Sequence, residues 1–166
     1  STIMDKKGNI YCFGGNSYGE CANADEFTFK IKYPKPFIKF KCGHRHIIAY
    51  DINNTILTFG YNYYGQCGIN ATDFQVDRPT KLYINGIKYS LEYCFTGVYT
   101  SMFMDKSRKH IYVCGQIPHV CRVIQIFRST TDGLIDCTKS LINDFNKNKT
   151  IYDIILMPQE LLLLCK

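Results

Sequence analysis

The sequence has 166 residues, a net charge of +6, 46% hydrophobic and 14% aromatic residues, and no Trp. That is enough apolar material for one domain with a core, and it excludes a disordered tail. No stretch nears the roughly 18 consecutive apolar residues of a membrane span, since the terminal leucine run covers only 161–164.

Residues 1–4 have the pattern of the end of an apolar strand. A turn at Asp5-Lys6-Lys7-Gly8-Asn9 follows, then a strand Ile10-Tyr11-Cys12-Phe13 that leads into Gly14. The loop Asn16-Ser17-Tyr18-Gly19-Glu20-Cys21-Ala22 comes next. A lysine-rich stretch carries Lys30, Lys32, Lys35, Lys39, Lys41 and Arg45, interleaved with Phe29, Tyr33, Phe37 and Phe40. Phe40-Lys41-Cys42-Gly43-His44-Arg45-His46 opens an apolar run at 47–50. The turn Asp51-Ile52-Asn53-Asn54 and a second run at 56–59 complete a hairpin. Gly60 then leads into Asn62-Tyr63-Tyr64-Gly65-Gln66-Cys67-Gly68.

These segments are copies of one another. Phe13, Gly14, Asn16, Tyr18, Gly19 and Cys21 recur as Phe59, Gly60, Asn62, Tyr64, Gly65 and Cys67 at an offset of 46, which Asp5 and Asp51 also keep. A third copy shows only its strands, Met104-Asp105 and then His110-Ile111-Tyr112-Val113-Cys114-Gly115. The element around Gly43 and His46 returns with Gly97 and Thr100. A degenerate version at 151–164 has Met157 in the glycine place and Glu160 in the histidine place. Strand-like units at spacings of about 46, 54 and 60 residues predict the blades of a propeller. Continuous apolar runs fit strands covered on both faces, as in stacked blades. The interval 116–150 reads as an insertion or a divergent blade, with turns at Asp132-Gly133 and 143–149 and a short helix at 140–145.

The pattern Cys42-Gly43-x-x-His46, then Phe59-Gly60, then Asn62-x-x-Gly65-Gln66-Cys67-Gly68 resembles the repeat of the regulator of chromosome condensation family. The resemblance is close in the second unit. In the first, Glu20 and Ala22 replace the glutamine and the last glycine, and after Gly115 the Asn-x-x-Gly loop is missing. It covers residues 1–115 clearly and 116–166 by pattern alone. It implies an all-β fold, a partial β-propeller of about three blades that forms one fragment over 1–166 of a ring of roughly seven blades. It also implies a structural role for His46, bonding within its own repeat, with Thr100 as its counterpart. The glycines at 14, 19, 43, 60, 65, 68, 97 and 115, with Asn16, Asn62 and Gln66, are read as structural repeat positions.

The chain is expected to be no enzyme and to need no cofactor or metal. Its glycines do not have the spacing of a phosphate loop, and no Gly-x-Ser-x-Gly elbow is present. Cys42, His44 and His46 cluster, as do Cys114, His119 and Cys121, but no Cys-x-x-Cys pair marks a zinc site. Nine dispersed cysteines, an odd number, predict free buried thiols and a reducing compartment. The Asn-x-Ser/Thr triplets at Asn53, Asn70 and Asn148 are common by chance in an Asn-rich chain.

The first ten residues, with Asp5, Lys6 and Lys7, do not form a secretory signal. The start at Ser1 predicts a processed or partial chain. Abundant Ile, Lys, Asn and Tyr suggest an A+T-rich genome, as in some protists and large DNA viruses. Together these place the protein in the cytoplasm or nucleus, or in a virion for a viral source.

The functional expectation is a binding or scaffold module that engages a macromolecular partner through its loops. Two alternatives stand beside it: a guanine-nucleotide exchange factor for a small GTPase, as the resemblance implies for some family members, and a docking component of a large nucleoprotein assembly or virion. The expected partner is a protein, with nucleic acid a weaker candidate. The lysine-rich stretch has two readings, an acidic-partner surface or the protected edge of a sheet with Ile31, Ile38 and Phe40 turned inward.

Overall fold

The computed structural model describes residues 1–26, 28–69, 73–82, 90–108, 110–116, 135–136, 151–156 and 161–165. The predicted helix at 140–145, the turns at 132–133 and 143–149, His119, Cys121, Cys137, Asn70, Asn148, Met157 and Glu160 lie outside these residues.

Every named element is a strand, and every strand pair is antiparallel. A two-stranded sheet joins β1 (Thr2–Met4) to β2 (Ile10–Cys12). A four-stranded sheet runs in sequence order through β3 (Phe37–Cys42), β4 (His46–Asp51), β5 (Ile56–Tyr61) and β6 (Gln75–Lys81). A second repeats that order with β7 (Leu91–Thr96), β8 (Thr100–Asp105), β9 (Ile111–Gly115) and β10 (Ile135–Asp136). The short β10 comes from the divergent interval and completes this blade. Finally β11 (Ile151–Leu156) pairs with β12 (Leu161–Cys165). The strand β3 packs beside β7, and β7 beside β11, so the first strands of successive sheets are neighbours.

The repeat also holds at the level of backbone register. In β3 the pairing with β4 slips between Phe37 and Lys39, leaving Ile38 as an extra residue. The same slip leaves Glu92 extra in β7 and Tyr152 extra in β11. One bulge at one place in three blades marks β11–β12 as a copy of the same unit and gives each first strand the same local twist. It also corrects one sequence expectation. Strand alternation turns Ile38 inward, but as the bulged residue it is exposed, while Ile31 is buried and Phe40 packs against the core.

The hairpins owe their geometry to a recurring Asx turn. Asp51 Oδ1 accepts the N–H groups of Asn53 and Thr55 at 2.8 and 2.9 Å. Asp5 does the same for Lys7 and Asn9 at 2.9 and 2.8 Å. Gly8, Asn54 and Arg108 hold the equivalent left-handed position, with φ of 79°, 58° and 60°. A carboxylate satisfies the turn's N–H groups, and the residue after them bends the chain back.

Strand alternation divides the core between neighbouring blades. Ile47, Ala49, Leu57 and Phe59 pack with Ile10, Cys12, Cys21 and Ile31 of the first unit. Ile48, Tyr50 and Ile56 point the other way, toward Leu91, Cys94, Phe103 and Tyr112 of the next sheet. Each central strand is therefore apolar on both faces, and each fully buried Ile, Leu or Phe there contributes about 1.5–3 kcal/mol relative to exposure.

Candidate functional site

At the end of the third strand of each blade the chain must leave the sheet sharply. Gly60 takes φ 105° there, and a Cβ would lie 2.4 Å from the Arg45 carbonyl oxygen; Gly115 takes φ 95°, with a Cβ 2.1 Å from the Tyr99 oxygen. Only glycine fits such backbone contact at that φ. Gly14 shares the conformation, at φ 114°, but its Cβ position is open.

The loops that follow are built by one asparagine. Asn62 Oδ1 accepts the Cys67 N–H at 3.0 Å and its Nδ2 donates to the Asp73 carbonyl at 3.1 Å. Asn16 accepts from Cys21 at 2.8 Å and donates to the Ala22 carbonyl at 3.3 Å. Gln66 and Glu20 occupy the same place, each accepting the N–H two residues back, from Tyr64 at 3.0 Å and Tyr18 at 2.8 Å. Gly65 and Gly19 donate their N–H groups to the Asn62 and Asn16 carbonyls. Gly68 is left-handed, and a Cβ would meet Leu82 at 2.6 Å and Cys114 at 2.9 Å; Ala22 takes the same region at φ 47°.

His46 fastens this loop to the next blade. Its Nε2 lies 2.9 Å from Ser101 Oγ, which donates to the Gln66 carbonyl at 2.7 Å. A carbonyl only accepts, so the Ser101 proton points to it and His46 Nε2 carries the other proton. The ring lies over Gly43, where a Cβ would stand 2.1 Å from its Cε1. Burial pulls the imidazole down to about 4, against a favourable contact with the Thr100 backbone, so the ring is neutral. This changes the role expected from the sequence: the histidine bonds between blades rather than within its repeat. Thr100 Oγ1 donates instead to the Gln116 carbonyl. Gly97 repeats the turn of Gly43, their N–H groups meeting the carbonyls of Thr100 and His46 at 2.8 Å.

Lys32, Lys35, Lys39 and Arg45 are drawn into the fold at separate places. Lys32 lies 3.9 Å from Asp25, and Lys35 lies 3.6 Å from the buried Asp51 carboxylate. Burial alone would raise the Asp51 carboxyl, but the Thr55 and Asn53 N–H groups and the Tyr33 hydroxyl hold it below its ordinary value. Lys39 sits 3.9 Å from the centre of the Tyr50 ring and donates to the Glu92 carbonyl. Lys41 is exposed on the same side of β3. Lys30 and Lys32 border a shallow groove with Ile31 and Tyr33. Arg45 covers the Tyr18 ring at 4.1 Å.

Metal chemistry finds no centre among the described residues, where no three metal-binding side chains come together. Cys12, Cys21, Cys67, Cys94 and Cys114 are buried free thiols and Cys42 is an exposed one. Burial pushes the Cys114 thiol up to about 12, and it lies 3.3 Å from the Gln66 carbonyl. The apolar places that the five buried cysteines hold account for them as packing residues.

What the sequence reading missed is an aromatic sheet across these loops. Tyr61 contacts Tyr18, Tyr63, Tyr64 and Tyr99 at ring-centre distances of 5.0, 6.2, 6.2 and 6.0 Å. Tyr63 stacks on Phe74 at 5.4 Å and 20°. Tyr64 meets Tyr99 at 5.0 Å, and His44 closes the far end on Tyr99 at 5.9 Å. Tyr63 is 55% exposed and Phe74 65%. Partial burial and the neighbouring phenols hold the Tyr61 hydroxyl above its ordinary value. The density of tyrosines at 61–64 and the recurrence of Tyr18 as Tyr64 were the available signals. The exposed rings of Tyr18, Tyr63 and Phe74 make this cluster a candidate contact surface.

No family model matches the chain. It is 28% identical over 131 residues to the RCC2 homolog of Danio rerio, covering 72% of this chain and 26% of that protein. It is 29% identical over 72 residues to an RCC1 repeat-containing protein of Dictyostelium discoideum, covering 39% of this chain and 15% of that one. The chain thus spans about a quarter or less of the curated relatives it matches. Among solved structures, human WBSCR16 superposes with a TM-score of 0.73 at 14% identity, over 99% of this chain and 42% of that one. Yeast RCC1 (Prp20), solved bound to Kap60, superposes with a TM-score of 0.68 at 16% identity, over 98% and 39%. These likenesses show the fold to be part of a β-propeller, and the repeats of this chain are similar to those of regulator of chromosome condensation proteins.

Proposed function

We propose that this chain is a non-catalytic binding module that engages a protein partner through its loop face. The observation that carries the proposal is the tyrosine sheet, exposed at Tyr18, Tyr63 and Phe74, on loops held by the asparagine hydrogen bonds and the His46–Ser101–Gln66 chain. Tyrosines on a fixed scaffold supply large contact area at little cost in side-chain entropy. The yeast relative Prp20p was studied for its binding to Gsp1p and histones, which supports a protein partner here. Nothing in these relatives points to a virion.

Quantitative affinity capture from the cells that make the protein tests this. Tyr63→Ser with Phe74→Ser should lose a partner that Lys30→Glu retains, with the thermal midpoint unchanged. Capture unaffected by the loop substitutions refutes the reading. Faster nucleotide release from any member of a small-GTPase panel would replace it with the exchange-factor alternative.

A further inference from the structure

The tyrosine sheet has a distinct electrostatic border. The Glu20 carboxylate turns back onto the Tyr18 N–H at 2.8 Å. Asp77 Oδ1 lies 3.1 Å from the Cβ position of Gly19, which brings β6 up to the first loop. Asp73 adjoins Phe74, and the Asn62 side chain holds its carbonyl. Glu20 and Asp77 thus lie beside the Tyr18–Gly19 loop, and Asp73 is the chain neighbour of Phe74. The Arg45 guanidinium is already seated on the Tyr18 face at 4.1 Å.

Taking the loop-face reading above as given, we propose that the sheet formed by Tyr18, Tyr61, Tyr63, Tyr64 and Phe74 binds a cationic, arginine-bearing segment of a partner protein. Two independent observations converge on that occupant. Aromatic faces carry negative quadrupole density and attract guanidinium groups, and Arg45 on Tyr18 shows that these rings accept one. The Glu20, Asp73 and Asp77 carboxylates add complementary charge and repel a phosphate backbone, which sets a basic peptide above nucleic acid. Stacked Tyr63 and Phe74, the most exposed rings of the sheet, are where the incoming guanidinium lies. The chain carries +6 overall, so its net charge disfavours a cationic probe, and binding of one reports a local site.

Fluorescence anisotropy with a labelled oligo-arginine peptide tests the proposal, with oligo-glutamate and single-stranded DNA as comparison probes. The parent protein should bind oligo-arginine most tightly. Tyr63→Ala with Phe74→Ala, both at exposed positions, should weaken binding roughly tenfold or more, while Tyr63→Phe retains it. Asp73→Asn with Asp77→Asn should weaken it and flatten its salt dependence. Equal affinity in parent and ring variants overturns the proposal. So does tighter binding of oligo-glutamate or DNA through the same residues, or self-association that the ring variants abolish. A photo-crosslinking amino acid at position 63, used in cells, separates this proposal from the reading beneath it. Crosslinks to a basic segment support both. Crosslinks to an acidic or neutral segment overturn the cationic assignment and leave the loop-face reading standing. No crosslinked protein at all overturns both.

Discussion

Acidification should weaken the chain through His46, with a size set by its burial. The folded ring titrates at about 4 because it is buried, against an ordinary value of 6.5. Between these values the unfolded chain binds a proton that the folded chain does not. Stability is therefore complete above pH 6.5, is lost as pH falls through that range, and levels off below about 4. Each tenfold difference in proton affinity between the folded and unfolded ring is worth about 1.4 kcal/mol, so the loss approaches about 3 kcal/mol in full and about 2 kcal/mol at pH 5. With a urea slope of about 2 kcal/mol/M, the unfolding midpoint should fall by about 1 M between pH 7.5 and pH 5. His46→Gln keeps an N–H that can reach Ser101 but cannot titrate, so its midpoint should be nearly flat over this window, whatever its stability at neutral pH. The exposed His44 is controlled with His44→Gln. Equal pH slopes in the parent and in His46→Gln would refute the assignment of a buried neutral ring.

Matched glycines separate backbone strain from collision. Gly14→Ala should cost about 1–2 kcal/mol for its left-handed backbone alone, since nothing lies within 4 Å of its Cβ position. Gly60→Ala should cost about 2 kcal/mol more, because its Cβ also strikes the Arg45 carbonyl; equal shifts by calorimetry would sink that distinction. Of Cys12, Cys21, Cys42, Cys67, Cys94 and Cys114, iodoacetamide at neutral pH should modify Cys42 first and the other five only on unfolding. Mass spectrometry of time-quenched samples reads this directly, and early labelling of Cys67 or Cys114 would contradict the packed core.

Much of this molecule is local, and local structure is legible in sequence. The Asp51 turn and the Asn62–Cys67 bond act within five residues, with hydrogen bonds whose spacing repeats with the residues that make them. Apolar runs at 47–50 and 56–59 announced strands covered on both faces. The repeat therefore determined the blades, their hairpins and the loops between them.

Tertiary structure decided what crosses between blades. His46 meets Ser101 at a separation of 55 residues, and nothing in either local pattern names the other. The bulge at Ile38 depends on strand pairing, so inward alternation read from the sequence placed that side chain on the wrong side. The lysines read as one basic stretch, yet Asp25, Asp51 and Tyr50 take three of them at separate points. The tyrosine sheet gathers Tyr18, Tyr61 and Tyr99 from three different units. A repeat fixes the residues within a unit, but side chains at its borders answer to whichever unit packs beside it, and only the folded arrangement supplies that neighbour.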